Sequence, residues 1–186
     1  MDLVFYFVLL AANWIAVTAQ TPPDRCLEPI AFGKLCTNSE AKIKYHFDNQ
    51  TGLCMAFKFN GCEGNENNFD SSSECVSSCY PTEIVGCPIK SNPITKEDGS
   101  SSCRQSEECG SDAYCSKRLS GGGTCCSIAV RKSLDADYNP VCGTRRTVVK
   151  LENDQILIGK SCKSNFCPTG SKCLKGTYFS TCCEKI

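Results

Sequence analysis

Hydrophobic and polar positions divide the chain into stretches of unlike period. Leu3 to Val17 is an almost unbroken apolar run, and it leads into the small-residue pattern Val17, Thr18, Ala19. This predicts a signal peptide cut after Ala19. The run falls short of the roughly eighteen apolar residues a membrane-spanning helix needs, and no later stretch approaches that length. The mature chain is therefore expected to be exported and soluble. Asp2 is the sole charge ahead of the run, so a signal anchor is the alternative. Further on, Lys42 to Asp48 alternates, with Ile43, Tyr45 and Phe47 on one face and Lys42, Lys44, His46 and Asp48 on the other. Asn49 to Gly52 reads as a turn. Alternation returns with Leu53, Met55, Phe57 and Phe59, and the two runs predict a twisted β-hairpin. Ser71 and Glu74 stand at capping-box spacing, which predicts a short helix. On it Cys75 and Cys79, one helical turn apart, share a face.

Composition changes the picture through cysteine. All 18 cysteines follow Ala19, a density above the roughly 8 to 10% that marks disulfide scaffolds and one that points to an oxidising compartment. Zinc is the competing use of dense cysteine. A single histidine, an even cysteine count and the lack of paired C-x-x-C knuckles weigh against it. No metal and no cofactor are expected. The formal net charge is zero and the basic residues are scattered singly, which is no footprint for nucleic acid or a membrane surface.

The cysteines fall into three groups: Cys26, Cys36, Cys54, Cys62, Cys75, Cys79; then Cys87, Cys103, Cys109, Cys115, Cys125, Cys126; then Cys142, Cys162, Cys167, Cys173, Cys182, Cys183. The second and third groups resemble each other and form an internal repeat. Modules this small cannot fold on an apolar core alone, so crosslinks must compensate for chain entropy. The expected organisation is a signal peptide over 1–19, a first domain over 20–80, and cysteine-rich repeats over 81–127 and 128–186. Pro81 to Gly86 and Ile128 to Pro140 read as linkers, and Ser91 to Ser102 and Leu119 to Thr124 as loops. The fold class is small and disulfide-rich: an α+β domain of twisted hairpin and C-terminal helix, then two small modules with little regular structure. The neighbouring pairs Cys125, Cys126 and Cys182, Cys183 are expected to bond outward to different partners. Six cysteines allow fifteen connectivities, and none is assigned to either repeat.

The residues Cys26-Leu27-Glu28-Pro29, the hairpin, Phe59-Asn60-Gly61-Cys62, Asn67-Asn68-Phe69 and the helical Cys75 and Cys79 together resemble a Kunitz-type serine protease inhibitor domain, related to bovine pancreatic trypsin inhibitor. The resemblance implies bridges from Cys26 to Cys79, Cys36 to Cys62 and Cys54 to Cys75. It also implies a protease-contact loop formed by Lys34, Leu35, Cys36, Thr37, Asn38 and Ser39. Thr37 would enter the primary specificity pocket of an extracellular serine protease, and a loop already rigid in its bound shape would lose little entropy on docking. The loop departs from the family pattern. Nine residues separate Cys26 from Cys36 and eight separate Cys36 from Tyr45, more than the family carries in both places. Thr37 is also not the basic residue a trypsin-like pocket favours, so a small pocket of elastase type suits it better. Lys34 or Lys42 is the other candidate for presentation. The competing reading is a non-inhibitory protein that uses the fold as a scaffold for extracellular matrix or channel-directed binding.

Other features read blandly. One histidine cannot furnish a triad or a histidine metal cluster, and neither Ser102 nor Ser106 has a Gly-x-Ser-x-Gly context. No enzyme is expected. His46 reads as a solvated strand residue. Tyr45, Phe57 and Phe69 read as core, and Asn67 as an amide that satisfies buried backbone groups. Asn49-Gln50-Thr51 is a glycosylation sequon at the hairpin tip. Phe166-Cys167-Pro168-Thr169-Gly170-Ser171-Lys172-Cys173, Ala113-Tyr114-Cys115 and the two Thr-Cys-Cys endings resemble lustrin-type cysteine-rich repeats and, more loosely, whey acidic protein modules, which carry more cysteines.

Overall fold

A computed structural model describes residues 21–80, 86–119 and 121–186. The expected signal peptide and residues 81–85 of the first expected linker lie outside the described residues. The first unit opens with a short helix α1 (Asp24–Leu27) and strand β1 (Lys34–Leu35), continues through the long strands β2 (Lys42–Asp48) and β3 (Leu53–Phe59) and the short β4 (Gly61–Cys62), and closes with helix α2 (Ser72–Cys79). Antiparallel β2 and β3 form the hairpin, and β1 pairs with β4 beside its open end. Asp48 shapes the turn, its Oδ2 accepting from the amide and hydroxyl of Thr51 at 3.0 and 2.6 Å.

Register decides which side chains each face presents. Phe47 lies opposite Cys54 and Tyr45 opposite Ala56, while His46 lies opposite Met55 and Lys44 opposite Phe57. Opposed residues of an antiparallel pair point the same way. The apolar runs of the two strands therefore face opposite sides of the sheet, and both sides need cover. This corrects the reading of His46 as solvated: only 3% exposed, it shares its face with Met55 and Phe57, and its ring meets Phe57 edge-on at 5.6 Å between centroids. Its Nε2 is buried without a partner.

Asn67 joins the segments. Fully buried, it accepts from the Phe47 amide at 2.8 Å and donates to the carbonyls of Phe47, Glu28 and Cys26. At the start of α2 the Ser71 hydroxyl accepts from the Glu74 amide at 3.0 Å, whereas the Glu74 carboxylate caps the amide of Asp70 rather than that of Ser71. The bridges of this unit run Cys26 to Cys79, Cys36 to Cys62 and Cys54 to Cys75.

The two later cysteine groups share one connectivity. Cys87 bonds Cys126, Cys103 bonds Cys115 and Cys109 bonds Cys125; Cys142 bonds Cys183, Cys162 bonds Cys173 and Cys167 bonds Cys182. Each adjacent pair does bond outward. In the middle module β5 (Ser102–Cys103), β6 (Ala113–Lys117) and β7 (Gly123–Ser127) form a sheet with β7 in the centre. Helix α3 (Ile128–Tyr138) follows, which corrects the reading of this stretch as linker. The segment contains neither Gly nor Pro, Ser127 caps its start by accepting from the Val130 amide, and Pro140 lies just beyond its end. In the last module β8 (Arg146–Val148), β9 (Ile158–Gly159) and β10 (Lys172–Lys175) all pair with β11 (Ser180–Lys185).

The last module packs on the hairpin. Tyr45, Phe47, Cys54, Ala56, Phe69 and Cys75 share one apolar cluster with Val149, Leu157, Phe166 and Cys182. Contact is close: a Cβ on Gly159 would collide with the Phe166 ring and lie 2.8 Å from the Ala56 carbonyl. The middle module has its own small cluster of Cys103, Cys109, Ala113, Cys115 and Cys125, with Ile94 against it.

Candidate functional site

The candidate contact loop sits at the open end of the hairpin. In β1, Lys34 lies opposite Cys62 and Leu35 opposite Gly61, and the Cys36–Cys62 bridge clamps the strand end to β4. The Asn60 amide and side chain reach the carbonyls of Phe32 and Gly33 at 2.8 and 3.1 Å. Gly61 (φ 112°) has no room for a side chain, since a Cβ there would lie 2.9 Å from the Ser39 carbonyl. Lys34 pairs with Glu63 at 2.7 Å with both side chains exposed, a contact of little energetic weight.

Beyond Cys36 the chain does not stay extended. Thr37 and Asn38 form a tight turn that brings Cys36 and Ser39 together as antiparallel bridge partners. The Thr37 hydroxyl donates to Asn38 Oδ1 at 3.2 Å. Eight residues separate Cys36 from Tyr45, and they supply the chain for this turn. Lys34, Leu35, Thr37, Asn38 and Ser39 are all exposed, and Leu35 is 80% exposed.

The opposite end of the hairpin is engaged. Lys160 donates to Asp48 Oδ2 at 2.8 Å and to Gln50 Oε1 at 2.9 Å, and Lys90 donates to Asn49 Oδ1 at 2.6 Å. Burial pushes the Asp48 carboxyl up, but the hydrogen bonds from Lys160 and Thr51 outweigh it and hold the group below its usual value. β2 separates the two ends by about 20 Å, at about 3.3 Å per residue. Lys34 to Ser39 are thus brought together at one end, and the sequon Asn49 stands exposed at the other.

His46 lies between them in the core, where burial lowers its imidazole pKa against an opposing pull from Asp48. A cleft of about 300 Å³ between the hairpin, α2 and the last module is lined by Tyr45, Leu53, Val76, Tyr80, Tyr138 and Leu151 among others. Its lining includes no carboxylate, histidine or free thiol. Sequence reasoning missed the Lys160 to Asp48 contact, since nothing local links residues so far apart in the chain.

Comparison with known proteins follows these elements. Residues 25–80 match the Kunitz/Bovine pancreatic trypsin inhibitor domain family. A BPTI/Kunitz inhibitor domain-containing protein of Caenorhabditis elegans is 27% identical over 98% of this chain and 100% of its own length. Major allergen Ani s 1 of Anisakis simplex is also 27% identical, over 96% of this chain and 97% of its own. Colostrum trypsin inhibitor of Bos taurus is 34% identical over 34% of this chain and 91% of its own length.

Proposed function

Since the chain belongs to the Kunitz/Bovine pancreatic trypsin inhibitor domain family through residues 25–80, we propose that it is a secreted, non-enzymatic inhibitor of an extracellular serine protease. It docks the loop from Lys34 to Ser39 against the enzyme. The observation that carries this reading is the accessibility of that loop. It is clamped by Cys36–Cys62, its residues on either side of Cys36 are exposed, and it lies about 20 Å from the hairpin end that the later modules engage. A rigid, projecting loop of this kind binds without paying much to become ordered. Export follows from the apolar leader and its cut after Ala19, glycosylation is assigned to Asn49, and the two later modules are read as lustrin-type repeats over 81–127 and 128–186.

The turn at Thr37–Asn38 favours a second reading. Proteases take their substrates extended, and a loop that folds back after Cys36 is suited to a non-inhibitory scaffold that binds extracellular matrix or a channel. Titrating the mature protein against trypsin, chymotrypsin and elastase separates the two. Inhibition of at least one enzyme at micromolar protein is the expected outcome, and inhibition of none rejects the protease reading.

A further inference from the structure

We propose that the last module carries a binding face for a sulfated polysaccharide, built from Arg146, Lys172 and Lys185. This face is separate from the protease-contact loop and stands whichever way the protease titration falls. From the proposed function it takes only export, which places it among the sulfated chains of the extracellular matrix.

The neutral total of the chain hides an uneven distribution of charge. Residues 139–186 hold eight lysines and arginines against three aspartates and glutamates, whereas residues 21–80 hold five against eight. The Kunitz unit is thus acidic and the last module basic. Within that module Lys150 and Lys160 are spent on Asp154 and Asp48. Among the described residues, Arg146, Lys172 and Lys185 form no salt bridge.

Basic residues scattered along the sequence meet through strand register. Lys185 of β11 lies opposite Arg146 of β8, and Lys172 of β10 lies opposite Cys183, two residues before Lys185. Opposed residues share a face, about 5 Å apart directly across and about 7 to 8 Å on the diagonal, so the three cations stand together. Lys172 and Lys185 are exposed, and the half-buried Arg146 is fixed by donating from Nη1 to the Cys183 carbonyl at 3.1 Å. Two carboxylates on or against this sheet are turned elsewhere. Glu184, paired with Thr147, alternates to the opposite face, and the buried Asp137 spends its oxygens on the amides of Thr177, Tyr178 and Phe179. Cys182, on the same face as Glu184, belongs to the cluster shared with the hairpin, so the cationic face is directed away from the hairpin.

Like charges placed directly opposite each other in a strand pair repel. Lys185 and Arg146 bear that cost in the free chain with no carboxylate to offset it, and an anion held against them removes it. Separation decides the kind of anion. A single small anion reaches the Lys185 and Arg146 pair, but Lys172 stands on the strand beyond, and an extended chain with repeating sulfates spans all three. An anionic bilayer is the weaker fit, since Val141 and Ile186, exposed beside Cys142 and Lys185, offer it only two separate aliphatic side chains.

Binding of the mature full chain to immobilised heparin, the probe for a sulfated polysaccharide, tests this at about 0.15 M ionic strength. The double variant Lys172→Ser, Lys185→Ser is compared with Lys117→Ser, Lys132→Ser, which removes the same charge from exposed positions outside the last module. Circular dichroism and non-reduced mass confirm that each is folded and bridged. The wild-type chain should be retained, the first variant should bind about ten-fold more weakly or worse, and the second should change by less than about two-fold. A wild-type chain that passes unretained overturns the assignment, as does an equal loss in both variants, which would make net charge the only determinant. Binding to vesicles containing phosphatidylserine but not to heparin overturns it in favour of a lipid surface. Export is tested apart, by recovery of the chain from the medium of secreting cells. Failure there removes the export reading, whereas failure on heparin removes only the polysaccharide face.

Discussion

In each of the two later modules the first cysteine bonds the sixth, the second the fourth and the third the fifth, yet among the described residues it is the last module whose apolar side chains join the Kunitz core. The difference lies in what fills the same frame. Just before the third cysteine the last module carries Phe166, fully buried against the hairpin, and the middle module carries Glu108, exposed and accepting from the amides of Arg104 and Gln105. Nineteen residues lie between Cys142 and Cys162 against fifteen between Cys87 and Cys103. The longer gap folds back through Leu151 and Gln155 and delivers Val149 and Leu157 to the shared cluster. Crosslinks define a module, and apolar side chains decide what it packs against.

The strongest way to break this comparison is Phe166→Ala. Removing a buried phenylalanine costs about 3 to 5 kcal/mol. Because the cluster is common, hydrogen exchange should rise in β2 and β3 as well as in β10 and β11. Ile94→Ala in the middle module is the matched control and should leave hairpin exchange unchanged. Protection that stays intact in the hairpin of Phe166→Ala would mean the two units fold separately.

His46→Phe probes the opposite face of the hairpin, the one carrying Met55 and Phe57. It removes an unpartnered buried Nε2, and a gain of about 1 kcal/mol, or about 3 °C in Tm, is expected. The sign of the pH effect follows from burial, which lowers the folded-state pKa of His46 below its unfolded value. The unfolded chain then binds the proton more readily, so wild-type stability falls as pH drops below about 6.5. Thermal melts of the variant should lose that slope, and melts that retain it would assign the slope to other groups.

Lys160→Ala sharpens the comparison at the smallest scale, because the Lys160 to Asp48 pair ties the last module to the hairpin turn. Half-buried, it should contribute about 0.5 to 1 kcal/mol at neutral pH. The Asp48 carboxyl is held below its usual value, so this contribution is present above about pH 4 and is lost as acid protonates Asp48. Wild-type and variant melts should differ near pH 7 and converge in strong acid; a difference that persists there would remove Asp48 from the explanation.

Much of the fold was legible because its signals are local. Alternation in β2 and β3 is a period-two pattern, the serine cap before α2 lies within four residues, and the crowding of cysteines follows from the size of the modules. Asn67 was readable as a core amide because a buried asparagine must spend its donors and acceptor on backbone. Helix α3 was missed because it lies between two cysteine groups, and its lack of Gly and Pro was outweighed by that position. The length of the segment after Cys36 was visible in the sequence, but the direction in which it folds was not.

The chain by itself determined a disulfide-rich Kunitz unit followed by two repeats, because cysteine spacing and strand period act over a few residues. Tertiary structure alone decided three things. Strand register set the runs of β2 and β3 on opposite faces and so buried His46. Docking of Phe166, Val149 and Leu157 made the last module part of the hairpin core. Closure of Cys36 onto Ser39 put Thr37 in a turn and left Leu35 extended and uncovered beside Gly61. The first two depend on which distant segments meet, and the third on the fit of a local turn against Gly61 beside the Cys36–Cys62 bridge; all follow from the balance of burial over the whole molecule rather than from any short stretch of residues.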